Sequence, residues 1–239
     1  MIDFIPIVTT VLAVIFTVIL YKRWRLNPQA FYLGWWTFGV AAYGLGTLAE
    51  SINTLFGWQE WVFRSWYIAG ALLGGFPLAQ GTAYLLLKRR TAHILTGFFG
   101  VYIVGAAIAV LASPINYLVV TNRLTGAVLE WQWVRLFSPL VNTYAFFFLV
   151  GGAIWSAWRY WRRADRPASR VGGNALIALG GILPGVGGSF ARAGQIEVLY
   201  VTEFVGLVLI WLGYRLIVKD PTESVHTNQQ EVAAGRIAG

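Results

Sequence analysis

Five polar side chains embedded in apolar sequence are the residues most able to do chemistry. Glu50, Arg64, Tyr67, Arg192 and Glu203 lie within or directly beside long apolar runs. A charge held in such a run has to be paired, hydrated or neutralised by a proton. Glu203 is the sharpest candidate because a carboxylate on a short stem cannot reach the membrane surface, whereas an arginine can.

These charges allow two interpretations. The two acids and two arginines, predicted at similar depth, could neutralise one another and lock the packing of helices. Alternatively, they could line a polar pocket that opens to the outside, with Glu203 as its deepest acid. The first arrangement is structural, and the second binds a ligand.

Two amides extend the candidate site toward the middle of the chain's helices. Gln80 follows Pro77, and Asn142 follows Pro139. Proline frees a backbone carbonyl that a neighbouring amide can satisfy, and kinked helices also form substrate sites in transporters. The candidate ligand-binding residues are therefore Glu50, Arg64, Tyr67, Gln80, Asn142, Arg192 and Glu203.

Most catalytic and cofactor chemistries lack their residues here. The chain has no cysteine, and its two histidines, His93 and His226, lie beside a basic turn and in the polar tail. No His and acid cluster has metal-ligand spacing, and neither a His-Glu-x-x-His nor a Gly-x-Ser-x-Gly pattern occurs. We therefore predict no catalytic residues, no metal, no required cofactor and no enzymatic activity.

The composition indicates a protein embedded in a lipid bilayer. Hydrophobic residues make up 57% of the chain and charged residues only 12%, with 27 glycines and 12 tryptophans. Soluble domains have roughly twice that share of charged residues. The net charge of +8 arises at the ends of apolar runs, so it indicates membrane topology and predicts no nucleic-acid partner.

Seven apolar runs are long enough to cross a bilayer, which requires about 20 residues each. They predict an all-α membrane protein, a seven-helix bundle over residues 1–220 followed by a mobile polar tail, 221–239. The first run is followed by basic residues, which favours a retained helix over a signal peptide. The predicted helices are Ile2–Tyr21, Phe31–Leu55, Trp61–Leu87, Thr91–Ala112, Leu136–Trp158, Val171–Phe190 and Val198–Val218.

The basic residues predict the orientation. Fourteen of the 18 lysines and arginines follow the first, third, fifth and seventh runs or lie at their ends. Basic residues accumulate on the cytoplasmic side of membrane proteins. We therefore predict a multi-pass protein of the cell membrane with its N-terminus outside and its C-terminus in the cytoplasm.

The longest connection, Ser113–Arg135, contains two β-prone runs around a turn with Gly126. This pattern predicts a β-hairpin. On the outer side it would serve either as a lid over the bundle or as a simple connector.

Elsewhere, small residues four apart, Gly70 with Gly74 and Gly181 with Gly185, predict close helix contacts.

The predicted topology is similar to that of the microbial rhodopsins. Those proteins hold retinal on a lysine in the middle of their seventh helix. The three lysines of this chain, Lys22, Lys88 and Lys219, all lie at helix ends. A retinal photoreceptor of that type is therefore disfavoured.

Two functional hypotheses remain. The first is a transporter or receptor that binds a small solute or lipophile in an outward-facing polar pocket. The second is a non-catalytic subunit or scaffold of a larger membrane complex. Both place the chain in a bilayer, the first with a small-molecule ligand and the second with membrane-protein partners or further copies of itself.

Overall fold

The structure is a computed structural model that describes residues 2–219, and the predicted polar tail from residue 221 lies outside this range. The described residues are mostly helical and form no strand. The α-helices are α1 (Ile5–Leu26), α2 (Phe31–Phe56), α3 (Glu60–Trp66), α4 (Phe76–Leu86), α5 (Arg89–Ala112), α6 (Phe137–Ala145), α7 (Gly152–Trp161), α8 (Ala168–Arg192) and α9 (Ile196–Val218). Two π-helical segments join them, π1 (Tyr67–Leu73) and π2 (Phe146–Gly151), with short 3-10 turns at Ile2–Phe4, Tyr117–Val119, Gly126–Val128 and Gln132–Leu136.

Five helical stretches within residues 2–219 are long and apolar enough to cross a membrane, which makes the chain a multi-pass membrane protein. They are Ile2–Leu26, Arg89–Ala112, Gln132–Trp161, Ala168–Arg192 and Ile196–Val218. The other two predicted runs are helical as well, but differ in character. Helix α2 has the length, but its glycines, tryptophans and tyrosines lower its hydropathy, and the run Trp61–Leu87 is interrupted.

Contacts between helix ends show which of them lie at the same end of the bundle. At the loop end, which carries the connection 113–135, Asn53 of α2 donates to the carbonyl of Asn122, and Arg123 donates to the carbonyl of Gly194. At the opposite end, which we call the basic end, Arg23 of α1 lies over the ring of Tyr214 in α9. Successive helices therefore run between the same two ends.

The predicted helix Trp61–Leu87 is not continuous. After π1 the chain bends at Gly74, whose φ of 43° is one that side chains rarely adopt, and α4 then begins with Pro77 in its first turn. Proline is well suited to a first turn because the N–H that it lacks would have no helical partner there. The result is a helix broken midway along its length.

The predicted helix Leu136–Trp158 changes its hydrogen-bonding pattern at π2. This segment begins directly after Ala145, and a methyl group added at Gly75 would lie 3.2 Å from Cβ of Ala145. The break after π1 therefore packs against the start of π2. Such π-helical segments occur frequently at functional sites.

Helices α8 and α9 touch backbone to backbone along a line of glycines. A methyl group added at Gly180 would lie 2.5 Å from the carbonyl oxygen of Gly206, and one added at Gly173 would lie 2.7 Å from that of Gly213. Only glycine permits this approach, which favours packing and weak Cα–H···O contacts between helices in lipid. Pro184 lies within α8, which runs through it without interruption.

The predicted β-hairpin at 113–135 is wrong. Residues 113–135 form no strand, only an isolated antiparallel bridge between Ile115 and Leu129. Asn116 and Thr125 accept hydrogen bonds from backbone N–H groups two residues ahead, which favours tight 3-10 turns over extended strands. Buried apolar side chains hold the connection against the bundle; they are Leu124, Val128 and Leu129, packed with Phe63, Tyr67 and Val110.

Arg64 caps the C-terminal end of α5. Its guanidinium donates to the carbonyls of Val110, Leu111 and Ser113, which have no helical partner at the end of a helix. It also forms an ion pair of 2.7 Å with Glu60, whose other oxygen accepts from the hydroxyl of Tyr117 at 2.6 Å. The hydrogen bond from Tyr117 and the nearby guanidinium hold the pKa of Glu60 below its usual value. This group therefore adds stability at neutral pH, and the contribution is lost as the pH falls through the lowered pKa.

The glycine contact predicts a contrast between two adjacent residues. Gly173→Ala places a methyl group 2.6 Å from Cγ1 of Ile217, whereas a methyl group at Gly172 meets no atom within 4 Å. We expect Gly173→Ala to destabilise the protein by about 1–3 kcal/mol through overpacking. Gly172→Ala should leave stability unchanged or slightly raised. Thermal unfolding in detergent measures both, and equal midpoints for the two variants would contradict the contact.

The α5 cap predicts a second contrast, between two arginines. Arg64→Gln removes the ion pair and leaves carbonyl groups at the end of α5 without a donor. We therefore expect the free energy of unfolding to fall by about 1–3 kcal/mol. Arg192→Gln is the matched control because Arg192 is exposed and forms no ion pair with the described residues. Unfolding in detergent should separate the two variants. Similar midpoints would show that Arg64 has no capping role.

Candidate functional site

Two glutamates from distant helices meet in the half of the bundle nearer the loop end. Glu50 of α2 is 2% exposed, and its Oε1 accepts a hydrogen bond of 2.9 Å from the indole N–H of Trp66. Glu203 of α9 is half-buried, and its carboxyl group lies close to that of Glu50. We call these two residues the carboxyl pair. The second oxygen of Glu50, Oε2, is buried and receives no donor from residues 2–219.

Two ionised carboxyl groups side by side within the bundle would be costly unless a proton or a positive charge lay between them. An ionised carboxylate only accepts hydrogen bonds, so a hydrogen bond between two carboxyl groups requires that one of them be protonated. Two neighbouring negative charges repel each other strongly in a medium of low dielectric constant. The site can therefore bind a proton, or exchange it for a ligand that brings a positive charge or hydrogen-bond donors.

Several hydroxyl groups lie on the same helices as the carboxyl pair, within about one turn of it. Tyr43 of α2 donates to the backbone carbonyl of Glu203 at 2.9 Å. One turn away, the Thr10 hydroxyl of α1 lies 2.9 Å from that of Thr47 and 3.5 Å from that of Ser51. This part of the seam between α1, α2 and α9 is therefore polar over more than one helical turn.

The sequence carried a signal for these neighbours. Tyr43, Thr47, Glu50 and Thr54 recur at spacings of four, three and four residues, which places them on one face of a helix. This polar face marks the side of α2 that meets α9. Trp66, by contrast, carried no such signal, because tryptophans at a helix entry are expected at the membrane interface.

Neither arginine of the predicted cluster reaches the carboxyl pair. Arg64 is held by Glu60 and the end of α5. Arg192 is exposed at the end of α8, and its charge acts on Tyr67, together with that of Arg135. The predicted mutual neutralisation of two acids and two arginines is therefore not the arrangement that the described residues form.

Tyr67 lies beneath the connection 113–135. It is buried, and a methyl group added at Gly126 would lie 2.8 Å from its ring. The same connection spans from α2 to the turn before α9 through Asn122 and Arg123. Asn122 and Arg123 thus lie on the loop-end side of the carboxyl pair, bridging the two helices that carry it.

Gln80 belongs to a separate polar network. It is fully buried, donates to the carbonyl of Ala92 at 2.9 Å and to the Thr96 hydroxyl at 2.8 Å, and accepts from the hydroxyl of Tyr144. The network continues from Thr96 through Tyr84 to His93, toward the basic end. Both N–H groups and the carbonyl oxygen of its amide are engaged, and they join α4, α5 and α6.

Asn142 lies at the helix break rather than at the carboxyl pair. It is exposed on α6, and its Oδ1 would lie 3.3 Å from a methyl group added at Gly74. No hydrogen bond among residues 2–219 links Asn142 or Gln80 to Glu50 or Glu203. The seven predicted residues thus separate into the carboxyl pair, the α5 cap, the covered Tyr67 with Arg192, and the two amides near the break.

The described side chains also limit the chemistry of the site. Within residues 2–219, no group of three or more His, Asp or Glu side chains is placed to hold a metal ion. The carboxyl pair has Trp66 and Tyr43 as aromatic neighbours, which suits recognition of a cationic group. Comparisons with protein-family models, with curated proteins and with solved structures find no match for this chain.

Proposed function

We propose that this protein crosses the cell membrane seven times and binds a small solute or lipophile in an outward-facing polar pocket, as a transporter or receptor. Its role in this proposal is binding rather than catalysis. The carboxyl pair carries the proposal because two glutamates with no cationic partner among residues 2–219 form a site that a proton or a cationic solute would complete. We infer that the solute offers an ammonium group or several hydrogen-bond donors.

Seven crossings are supported by how the helix ends meet. Helix α2 and the broken unit of α3, π1 and α4 each connect the loop end to the basic end, as the five apolar stretches do. A broken helix is tolerated at membrane depth where neighbouring protein surrounds it. The concentration of lysines and arginines at the basic end supports a cytoplasmic location for that end.

The connection 113–135 supports the outward-facing pocket. Arg123 donates to the Gly194 carbonyl at 2.6 Å and lies 3.7 Å from Glu197, while neighbouring Asn122 accepts from Asn53 at 2.8 Å. The two contacts of Arg123 are exposed, and exposed ion pairs contribute little stability. In this proposal, a solute reaches the carboxyl pair when these contacts open.

A second candidate function, as a subunit of a membrane complex, is favoured by α5. This helix exposes Val101, and methyl groups added at Gly97, Gly100 or Gly105 would meet no atom within 4 Å. Small residues on an open helix face allow another helix to approach closely. Recovery of a stoichiometric partner protein from the native membrane would favour this function over the first.

The proposed orientation predicts opposite results for two reporter fusions. A reporter that works only in the cytoplasm should be active when fused after Lys219 and inactive when inserted at Thr125. The reason is that Lys219 follows α9 at the basic end, whereas Thr125 lies in the connection at the loop end. Activity at Thr125 would overturn the orientation.

The carboxyl pair predicts that Glu203→Gln is tolerated structurally. A glutamine amide can donate to Glu50 in place of the shared proton. The free energy of unfolding in detergent should therefore change by no more than about 1 kcal/mol. The infrared absorption of a protonated carboxyl group should disappear in this variant. Glu197 lies on the same helix, is partly exposed and lies 3.7 Å from Arg123. Glu197→Gln should therefore retain that absorption.

Ligand binding provides the functional part of the same experiment. We expect some members of a panel of small organic amines to raise the thermal midpoint of the wild type and of Glu197→Gln, but not of Glu203→Gln. Shifts that are equal in all three proteins would exclude the carboxyl pair as the binding site. A large loss of stability in Glu203→Gln would instead show that the pair holds the fold together.

A further inference from the structure

An apolar groove runs along the outside of the bundle between α7 and α8. Its volume is about 500 Å³. The residues that line it are all apolar or aromatic: Ile154, Ala157, Trp158, Trp161, Val171, Ala175, Ala178, Leu179 and Ile182. Several are strongly exposed, including Leu179 at 57% and Trp161 at 55%. The groove is therefore open along its length to whatever surrounds the bundle.

The length of the groove matches a lipid tail. It extends along α8 from Val171, near the basic end, to Ile182. Eleven residues at 1.5 Å each give roughly 16 Å, about half of the 30 Å hydrocarbon core of a bilayer. An acyl chain of one leaflet would fill such a groove.

Two arginines stand over the aromatic rings at the mouth of the groove. The guanidinium of Arg162 lies 4.8 Å from the ring centre of Trp158, and that of Arg166 lies 5.6 Å from the ring centre of Trp161. Both tryptophans line the groove. The positive charges are thus fixed at the end where a lipid headgroup would lie.

These two arginines lack a carboxylate partner in the described part of the chain. Residues 159–170 contain five arginines and one acid, Asp165, which is paired with Arg163 at 3.1 Å. Arg166 is held with a φ of 35°, an uncommon conformation for a residue with a side chain. Stacked, unpaired guanidinium groups are well suited to bind a phosphate through two parallel hydrogen bonds.

We propose that this groove binds one anionic phospholipid, with an acyl chain along α7 and α8 and its phosphate on Arg162 and Arg166. Charge decides the class of lipid. A zwitterionic headgroup carries its own cation and gains less from a cluster of arginines than an anionic one does. The site is separate from the carboxyl pair and does not depend on the proposed solute.

Binding of phosphatidylglycerol to the full chain tests this proposal. Purified protein in mild detergent is titrated with phosphatidylglycerol or phosphatidylcholine, and bound lipid is counted by native mass spectrometry. We expect one phosphatidylglycerol to bind at least about tenfold more tightly than phosphatidylcholine. Equal affinities for the two lipids would overturn the proposal.

Two variants separate the headgroup site from the tail site. The double variant Arg162→Gln/Arg166→Gln should weaken phosphatidylglycerol binding by about tenfold or more, because each arginine near a membrane surface contributes on the order of tenfold or less to anionic lipid binding. Ala175→Trp fills the groove from α8 and should weaken binding while leaving all five arginines in place.

A charge-matched control excludes a general surface effect. Lys88→Gln/Arg90→Gln removes two positive charges from the same end of the bundle but does not touch the groove, so its affinity should stay within about twofold of the wild type. An equal loss in both double variants would show non-specific attraction and overturn the proposal. So would full competition by inorganic phosphate alone, because the tail would then contribute nothing.

Discussion

Hydrocarbon offers no hydrogen bonds, so every polar group between the helices has to find its partner within the protein. Gln80 does so by joining three helices, and Arg64 does so by capping the carbonyls at the end of α5. Glu50 and Glu203 satisfy the same requirement only in part. Each offers the other an acceptor, and neither brings a permanent donor. Within residues 2–219, the carboxyl pair is therefore a place where a buried acidic oxygen, Oε2 of Glu50, is left without a donor.

The positions of the helices could be predicted from the sequence because apolar length is a local property. Interruptions within helices could be predicted only in part. Pro77 indicated a kink in the run Trp61–Leu87, but the chain bends at Gly74, three residues earlier, because the surrounding packing decides where a positive φ is used. Similarly, the four-residue spacing of Gly181 and Gly185 indicated a close contact, and Gly181 packs closely against Leu149 and Val150, but a methyl group at Gly185 would meet no atom within 4 Å. The contact between α8 and α9 uses glycines seven residues apart, Gly173 and Gly180, because that spacing keeps them on the face toward α9.

The candidate site was predictable in residue type but not in pairing. Glu50 and Glu203 stood out because acids inside apolar runs are costly. Their approach to each other could not be read from the sequence, since it depends on how α2 packs beside α9. Arg64 was assigned to the wrong kind of cluster for a related reason. Its nearest acid, Glu60, lies one helical turn before it, and its remaining partners are backbone carbonyls, which every helix end offers and no sequence pattern marks.

The carboxyl pair also lies in the seam between α2 and α9. Helix α9 is joined to α8 by direct backbone contact at Gly180 and Gly206, and to α1 by the rings of Phe16, Trp211 and Tyr214. A hydroxyl contact between Thr10 and Thr47 joins α1 to α2. A proton shared by Glu50 and Glu203 would attract across this seam, whereas two ionised groups there would repel. A change in the charge of the pair would therefore act between α2 and α9. That is the physical requirement for a site whose occupancy alters the shape of the bundle, because a ligand shifts a conformational equilibrium only through contacts that differ between the two states.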